Sequence, residues 1–212
     1  MKTRTGLAAV VAGMLATAAP GLATAADDVI RIGILNDQSG VFADNGGQGS
    51  VAAARLAAED FGNSVNGMRI EIVNADHQNK ADIASATARK WFDSEGVDLI
   101  ADGAASSAGF AILEAAKERR KIFIVNGPAS SDFTGKACSP YSFHFTYDTY
   151  ALAKITSQAI TQAGGNSWYF ITADYAFGHA LQRDATKFIE AAGGKVLGQA
   201  AHPLGTNDFS SF

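Results

Sequence analysis

The chain has 212 residues, of which 47% are apolar and 18% are charged, with one cysteine and a formal net charge of −4. This composition is typical of a globular protein and excludes the disordered, collagen-like and disulfide-stapled classes. The 17 Lys and Arg against 21 Asp and Glu leave no basic stripe to neutralise a phosphate backbone, which argues against nucleic acid as a partner.

The N-terminus has the pattern of a secretory signal peptide. Lys2 and Arg4 precede an uncharged run that leads to the small-residue site Ala23-Thr24-Ala25. Its apolar part is too short to span a bilayer comfortably, and no later segment has the apolar length of a membrane helix. We therefore predict that residues 1–25 are removed on export and, since no cysteine stands at the cleavage site, that no lipid is attached there. In an oxidising compartment Cys138 is expected to be a buried small apolar side chain or to pair with a partner outside this chain.

After this segment, short runs of β-branched and aliphatic residues alternate with alanine-rich stretches of helical length. The runs are residues 29–35, 68–75, 97–101 and 121–125, and the stretches are residues 48–61, 80–94 and 107–119. This alternation predicts βαβ units and a parallel sheet flanked by helices. The second run alternates polar and apolar residues and belongs near a sheet edge, whereas the first and fourth are apolar on both faces and belong at the centre.

The alternation restarts after a strand at 141–145, which indicates a second α/β unit. A helix, a strand at 167–172, a second helix and a strand at 195–201 follow. The second helix is the most periodic segment of the chain. Its apolar face consists of Leu181, Ala185, Phe188, Ile189 and Ala192, and the residues expected to point elsewhere are Gln182, Arg183, Asp184, Lys187 and Glu190. Gly193-Gly194 then ends it.

The second unit is too short to cover both faces of a parallel sheet. Asn207-Asp208 has the pattern of a helix N-cap, yet Phe212 is the last residue. We therefore expect this chain to be part of a longer one. The alternative is a complete small protein whose tail frays.

Familiar catalytic and cofactor motifs are absent or incomplete. The loop after the first run ends in G-x-G-x-x-A, but eleven residues separate Leu35 from its first glycine, Gly47, which is too far for a dinucleotide fingerprint. There is no G-x-S-x-G, H-E-x-x-H or C-x-x-C, and the four histidines are scattered. The sequence therefore predicts no catalysis, no metal and no cofactor.

Two turns offer groups that bind anions. Ser106-Ser107 begins the third helix directly after a strand and Gly103, where free N–H groups and the helix dipole favour a carboxylate. The segment Gly127-Pro128-Ala129-Ser130-Ser131 follows the next strand with the same exposed amides and hydroxyls. Each alone is more often a plain N-cap or turn. Together, at the carboxyl ends of neighbouring strands, they would form one anion-binding crevice.

Two aromatic residues stand near the expected crevice. Tyr175 follows the strand at 167–172 and precedes the periodic helix, so it can close over a ligand or simply cap the sheet as a partly buried tyrosine. Phe42 is a large apolar side chain in a loop of Gly, Asp and Asn, which favours a functional role.

As a set, these features resemble the periplasmic solute-binding proteins of branched-chain amino acid type ABC importers. The segments that carry the resemblance are the signal peptide, residues 29–35 leading into Ser39-Gly40, residues 103–107, 127–131, 147–150 and 172–178. The resemblance implies a two-lobe architecture of parallel sheets flanked by helices. The first lobe would be residues 26–146, and the incomplete second lobe residues 147–212, in a full-length chain nearly twice as long.

The resemblance also implies roles for single residues. Ser107 and Ser130 would present hydroxyl and amide donors to a ligand carboxylate, and Pro128 or Ala129 a backbone carbonyl to a ligand donor. Phe42 would form an apolar wall, and the second-lobe Tyr175 would cover the ligand. The family acid that neutralises an ammonium group would lie beyond Phe212, so branched-chain amino acids and aromatic or other small carboxylates stay open.

The implied protein is a periplasmic monomer that captures a small carboxylate and delivers it, unaltered, to the membrane permease subunits of an ABC transporter. A sensor or receptor domain on the same scaffold is the first alternative, because fold and site would be shared and only the partner would differ. An exported α/β enzyme is the second.

Overall fold

The structure is a computed structural model that describes residues 28–212. The predicted signal peptide, residues 1–25, lies outside the described residues. Within the described part, no helix combines the length and the apolar character needed to cross a membrane.

We call residues 28–146 the first unit and residues 147–212 the second unit. The first unit is built on a six-stranded sheet in the order β2-β3-β1-β4-β5-β6. All strand pairs are parallel except the short hairpin of β2 and β3. The strands are β1 (Val29–Asn36), β2 (Ser64–Val65), β3 (Met68–Asp76), β4 (Leu99–Asp102), β5 (Ile122–Val125) and β6 (Ser142–His144). The helices are α1 (Gly47–Asp60), α2 (Ala81–Ser94), α3 (Ser106–Arg119) and a short 3₁₀ helix at Ser131–Phe133.

The core of the first unit lies between the sheet and the paired helices α2 and α3. Small side chains on these helices let them approach closely, and large apolar side chains of β1, β4 and β5 fill the space below. The buried alanines are Ala84, Ala88, Ala108, Ala115 and Ala116, and the large buried side chains include Leu35, Ile100, Ile112, Leu113, Phe123 and Phe133. Gly33 in β1 has no side chain because the Trp91 ring occupies that position.

The second unit, residues 147–212, contains a two-stranded parallel sheet and two helices. They are α4 (Thr149–Gln162), β7 (Ser167–Ala173), α5 (Ala176–Ala191) and β8 (Lys195–His202). One face of the sheet packs on α4 and α5 around Ala153, Ala185, Phe188 and Ile189. The opposite face carries exposed apolar side chains, namely Tyr169, Ile171 and Leu197.

The structure confirms the predicted α/β class with parallel sheets flanked by helices. β1 is central as expected, whereas β5, also expected at the centre, lies next to the edge strand β6. The predicted second run, β3, lies next to the edge strand β2, a two-residue element that the sequence did not indicate. The third strand begins two residues later than predicted because Val97 instead turns into the core and donates its N–H to the Trp91 carbonyl. The boundary between residues 146 and 147 stays a prediction.

Three further expectations need correction or comment. Asp184, expected to point away from the packed face of its helix, is buried. Cys138 is an exposed free thiol, so the expectation of a buried side chain is wrong. Asn207-Asp208 lies in no helix, although the Asp208 carboxylate accepts a hydrogen bond from the Ser210 N–H in the manner of a turn.

Candidate functional site

A cavity of about 430 Å³ lies between the carboxyl ends of the first sheet and the start of α5, and we call it the cleft. The first unit supplies most of its wall: Phe42, Asn45, Gly46, Ser50, Asp102, Ala104, Ala105, Ser106, Asn126, Gly127, Ala129 and Thr146. The second unit supplies Tyr147, Tyr175 and Phe177. The cleft therefore has a polar wall from the first unit and an aromatic wall from the second. A crevice at the carboxyl ends of parallel strands is where α/β sheets usually bind ligands.

Two helices of the first unit begin at the cleft without a side-chain cap. The residue before α1 is Gly46 and the residue before α3 is Ala105, and neither provides a side-chain acceptor to the first turn. The residues before α2 and α5 provide no such cap either, whereas α4 and the 3₁₀ helix are capped: the Asp148 carboxylate accepts from Ala151 N–H at 2.8 Å, and the Ser130 hydroxyl accepts from Asp132 N–H at 3.3 Å. The backbone N–H groups that open α1 and α3 are thus available to an anion.

The two serine-rich turns predicted from the sequence do meet. Ser130 donates its backbone N–H to the Ser106 Oγ atom at 3.2 Å, and both residues are buried. Ser106 lines the cleft, whereas Ser107 and Ser130 are not part of its wall. The Ser107 Oγ atom instead accepts the N–H of Ala176, the first residue of α5, at 3.2 Å. This hydrogen bond joins the first unit to the second at the edge of the cleft.

The two backbone carbonyls predicted to face a ligand already have partners in the protein. The Ala129 carbonyl accepts the N–H of Thr149 at 2.9 Å, and the Pro128 carbonyl lies 2.9 Å from the His144 Nε2 atom. Ala129 lines the cleft and Pro128 does not. Because a carbonyl oxygen has two lone pairs, the Ala129 oxygen can accept a second hydrogen bond.

The predicted aromatic residues face one another across the cleft. The Phe42 and Tyr175 ring centroids are 6.0 Å apart, and Tyr175 also lies 5.9 Å from Phe177. Burial, helped by the nearby Tyr147 hydroxyl, raises the pKa of Tyr175, so the Tyr175 hydroxyl stays protonated at neutral pH. The aromatic wall is therefore uncharged and suited to cover an apolar or aromatic group.

Two acidic side chains, the buried Asp37 and the partly buried Asp76, hold the Phe42 loop in place. The Asp37 carboxylate is fully buried and accepts the N–H groups of Gly40 at 2.7 Å and Phe42 at 3.0 Å. Partial burial by itself raises the pKa of the Asp76 carboxyl. Hydrogen bonds from the Ser39 hydroxyl and two backbone N–H groups outweigh that effect and hold this pKa below its ordinary value. The loop that carries Phe42 is thus anchored by the Asp37 and Asp76 side chains.

Asp102 and Asn126 are cleft residues that the sequence reasoning missed. Asp102 ends β4, and Asn126 directly follows the neighbouring β5. The Asn126 Oδ1 atom accepts the Asp102 N–H at 2.8 Å, and its amide group lines the cleft. The signal that could have found both residues is their position, since polar residues at the carboxyl ends of central strands face the ligand crevice of such sheets.

The backbone around Asp102 is strained. Asp102, Gly103 and Ala104 all have positive φ, at 82°, 93° and 49°. A non-glycine residue in this region costs about 1 to 3 kcal/mol and persists where surrounding contacts impose it. Here the Asn36 Nδ2 atom donates to Asp102 Oδ2 at 2.8 Å, and the Ala104 N–H donates to Asp102 Oδ1 at 3.1 Å. The strained turn therefore delivers α3 to the cleft in a fixed position.

His77 supports this turn from beneath. It is fully buried, its Nδ1 atom accepts the Asn79 N–H at 3.0 Å, and its Nε2 atom lies 3.2 Å from the Gly103 carbonyl. Since a backbone N–H can only donate and a carbonyl can only accept, the ring is neutral with its proton on Nε2. Burial lowers the pKa of His77, which agrees with this neutral form.

The Asp184 side chain is buried because it forms hydrogen bonds that join the two units. Its Oδ2 atom accepts the hydroxyls of Ser131 and Thr149, each at 2.6 Å. Arg183 donates to Asp184 Oδ1 and, at 3.1 Å, to Asp132 Oδ2. We call Ser131, Asp132, Thr149, Arg183 and Asp184 the junction cluster. It fixes α5, and hence Tyr175 at its start, against the Ser130 turn.

The chemistry of the cleft is that of binding. Its wall provides backbone N–H groups, hydroxyls, two side-chain amides, one carboxylate and aromatic rings, and it holds no serine or cysteine beside a histidine. Among residues 28–212, no three His, Cys, Asp or Glu side chains are grouped to hold a metal ion. The arrangement can bury a small anion and enclose its apolar part.

Comparison with known proteins places these observations in a family. The periplasmic binding protein family matches residues 29–212. A periplasmic binding protein from Burkholderia mallei is 48% identical with a TM-score of 0.85, covering 87% of this chain and 49% of that one. A branched chain amino acid ABC transporter periplasmic ligand-binding protein from Burkholderia xenovorans is 36% identical with a TM-score of 0.71, covering 86% and 49%.

A third similar structure contains a bound ligand. It is an ABC transporter solute-binding protein from Rhodopseudomonas palustris in complex with p-hydroxybenzoic acid, 26% identical with a TM-score of 0.75, covering 86% of this chain and 49% of that one. The chain thus spans about half the length of the relatives that it matches. The resemblance inferred from sequence motifs is confirmed.

Proposed function

The chain belongs to the periplasmic binding protein family, and on that premise we propose that it captures a small carboxylate in the cleft for import by an ABC transporter. The protein binds its ligand outside the cytoplasm, as a monomer, and delivers it to membrane permease subunits without making or breaking a bond. Ligand binding between the units changes their relative position, which tells the permease that the site is full.

The observation that carries this proposal is the pair of uncapped helix N-termini at the cleft. A carboxylate placed at the start of α3 receives the free N–H groups of its first turn and the Ser106 hydroxyl. The Ser107 hydroxyl, whose oxygen accepts the Ala176 N–H, still has its own proton to donate. Ser130 acts through its N–H, which holds Ser106 in position. Fixed donors replace water around the carboxylate, so its burial needs no full counter-charge.

The rest of the ligand packs against Phe42 and Tyr175. The centroids of these two rings are 6.0 Å apart, so the rings contact each other and together offer one aromatic surface to an apolar or aromatic group. Similar proteins support both ligand types, since one is described as a branched chain amino acid transporter component and another was solved with p-hydroxybenzoic acid. The ligand is therefore a small carboxylate with an apolar or aromatic side group.

Calorimetric titration tests this proposal. The complete natural polypeptide is titrated with leucine, isoleucine, valine, phenylalanine, benzoate and 4-hydroxybenzoate, alone and as the Ser106→Ala variant. Losing one charge-assisted donor costs about 1.5 to 3 kcal/mol, so the variant should bind the preferred compound about tenfold or more weakly.

A matched control separates binding from folding. Ser94→Ala removes an exposed hydroxyl at the end of α2 and should leave the affinity unchanged. Thermal unfolding of both variants confirms that the protein is folded during the titration. Equal affinity of the wild type and Ser106→Ala for every compound that binds would contradict the proposed site.

A further inference from the structure

Asp102 places a negative charge in a cleft that otherwise suits an anion. It is the one acidic residue in the described cleft wall, which also holds no lysine, arginine or histidine from residues 28–212. Asp102 is 5% exposed. A ligand carboxylate bound near Asp102 would be repelled by its like charge at low dielectric. A ligand whose only polar group is a carboxylate is therefore a poor match to this wall.

Nothing in the described part of the chain neutralises this charge. Asp102 forms no salt bridge there, and its two hydrogen-bond donors, the Asn36 amide and the Ala104 N–H, are neutral. His77 lies beneath the same turn and is held neutral by the Asn79 N–H. The other charged groups that act on His77 with Asp102 are Asp37 and Asp76, which are acids as well.

The Asp102 carboxylate also has room for a further donor. An ionised carboxylate can accept about four hydrogen bonds, and the protein supplies two. The position is a built one, because Asp102 has a strained φ of 82° and Gly127 must lack a side chain where the Asp102 Oδ1 atom approaches. The fold thus keeps an unpaired acceptor on the wall, four residues before Ser106.

We infer that Asp102 is a specificity-determining residue that selects ligands with a hydrogen-bond donor, above all an ammonium group, beside their carboxylate. This inference rests on the proposed function and deepens it. The α3 N-terminus takes the carboxylate, and Asp102 takes the donor. In an α-amino acid the carboxylate and the ammonium group are attached to one carbon atom. This fits the protein, where Asp102 and the α3 N-terminus lie on one short turn. A ligand without the donor leaves Asp102 desolvated and unpaired, and a second anionic group is repelled.

Matched pairs of compounds test this inference. The complete natural polypeptide is titrated with leucine, 2-hydroxy-4-methylpentanoate and 4-methylpentanoate, which carry an ammonium, a hydroxyl or neither group. Phenylalanine and 3-phenylpropanoate form an aromatic pair, and benzoate is included as a plain aromatic acid. In any series that binds, we expect the ammonium compound to bind at least about tenfold tighter than its partner without a donor.

Asp102→Asn should reduce that ratio below about threefold, because the amide keeps the size of the side chain and removes its charge. Asp60→Asn removes the same charge from the exposed far end of α1 and should leave the ratio unchanged. If Asp102→Asn does not fold, the wild-type ratio alone decides. A wild-type ratio near one, or a ratio that persists in Asp102→Asn, overturns this inference and leaves the proposed function standing. Failure of every carboxylate to bind overturns both.

Discussion

The two walls of the cleft are built in different ways. The first-unit wall contains Phe42 and the buried polar residues Asp102 and Ser106 around a strained, hydrogen-bonded turn, with α1 and α3 beginning at it uncapped. The second-unit wall consists of the aromatic rings of Tyr147, Tyr175 and Phe177. The first wall has fixed donors and can recognise one chemical group, whereas the second has apolar area and can enclose many. Selectivity should therefore respond most to changes in the first wall.

The largest effect is expected where a side chain would be forced into the first wall. A Cβ atom on Gly127 would overlap the Asp102 carboxylate and lie 2.9 Å from the Ala104 backbone, which cannot move aside. Gly127→Ala should destabilise the protein by about 3 kcal/mol and weaken ligand binding about a hundredfold. Urea unfolding and calorimetry measure both effects.

Gly49→Ala is the matched control for this change. A Cβ atom at Gly49 meets no atom within 4 Å, and the residue lies in the first turn of α1. It should stabilise the protein by about 0.5 to 1 kcal/mol. If Gly127→Ala behaves like Gly49→Ala, the first wall is not the rigid element described here.

Substitution in the junction cluster tests how the two walls are held together. Asp184→Ala removes the acceptor of two hydroxyls, including that of the fully buried Thr149. Hydrogen bonds to a charged group are worth about 1.5 to 3 kcal/mol, so we expect a loss of about 2 to 3 kcal/mol in the free energy of unfolding. Asp174→Ala removes an exposed carboxylate near the start of α5 and should change it by less than about 0.5 kcal/mol. Equal effects of the two variants would show that the junction cluster contributes nothing to stability.

Ligand binding should weaken when the second wall loses aromatic area. It should hardly change when Tyr175 loses its hydroxyl. Tyr175→Ala removes the ring opposite Phe42 and should weaken binding about tenfold, in line with about 1.5 kcal/mol for an aromatic contact. Tyr175→Phe keeps the ring and should bind within about twofold of the wild type. Calorimetry with the preferred ligand measures both. A tenfold loss of affinity in Tyr175→Phe would mean that the Tyr175 hydroxyl takes part in recognition. The second wall would then not act through aromatic area alone.

The smallest expected effect is a change in the stability of the protein with pH, which arises from His77 next to the first wall. Burial holds the pKa of His77 below its ordinary value of 6.5, so the unfolded chain binds a proton more readily than the folded one. The stability that His77 contributes is present above pH 6.5 and is lost as the pH falls below 6.5 through the folded-state pKa. Thermal unfolding between pH 7.5 and about pH 5 should show this decline, and His77→Gln should flatten it. His202→Gln, a change on the second unit, should not alter the slope.

The sequence predicted most of the fold because periodicity reports burial directly. The run at 29–35 and the helix around Phe188 have apolar residues at the spacings typical of a buried strand and of an amphipathic helix, and these residues are buried or partly buried. Because the prediction used periodicity alone, it wrongly expected Asp184 to point away from the packed face of its helix. A carboxylate on the apolar side of α5 can be buried only because hydroxyls from Ser131 and Thr149 reach it across the junction, and no local pattern reveals that.

The candidate site was predicted in outline but not atom by atom. The meeting of the Ser106 and Ser130 turns follows from adjacent parallel strands, which the sequence indicates. Which serine lines the cleft depends on the left-handed turn at residues 102–104, and one shifted φ angle redirects every group after it. Asp102 carries no motif of its own, so its role emerges only from the turn.

The most direct test of the central claim is a crystal structure of the complete natural polypeptide bound to the tightest carboxylate from the titrations. The ligand carboxylate should lie within hydrogen-bonding distance of the Ser106 hydroxyl and the first N–H groups of α3, with its side group packed against Phe42 and Tyr175. A ligand bound outside the cleft, or with its carboxylate turned towards the aromatic wall, would contradict the account.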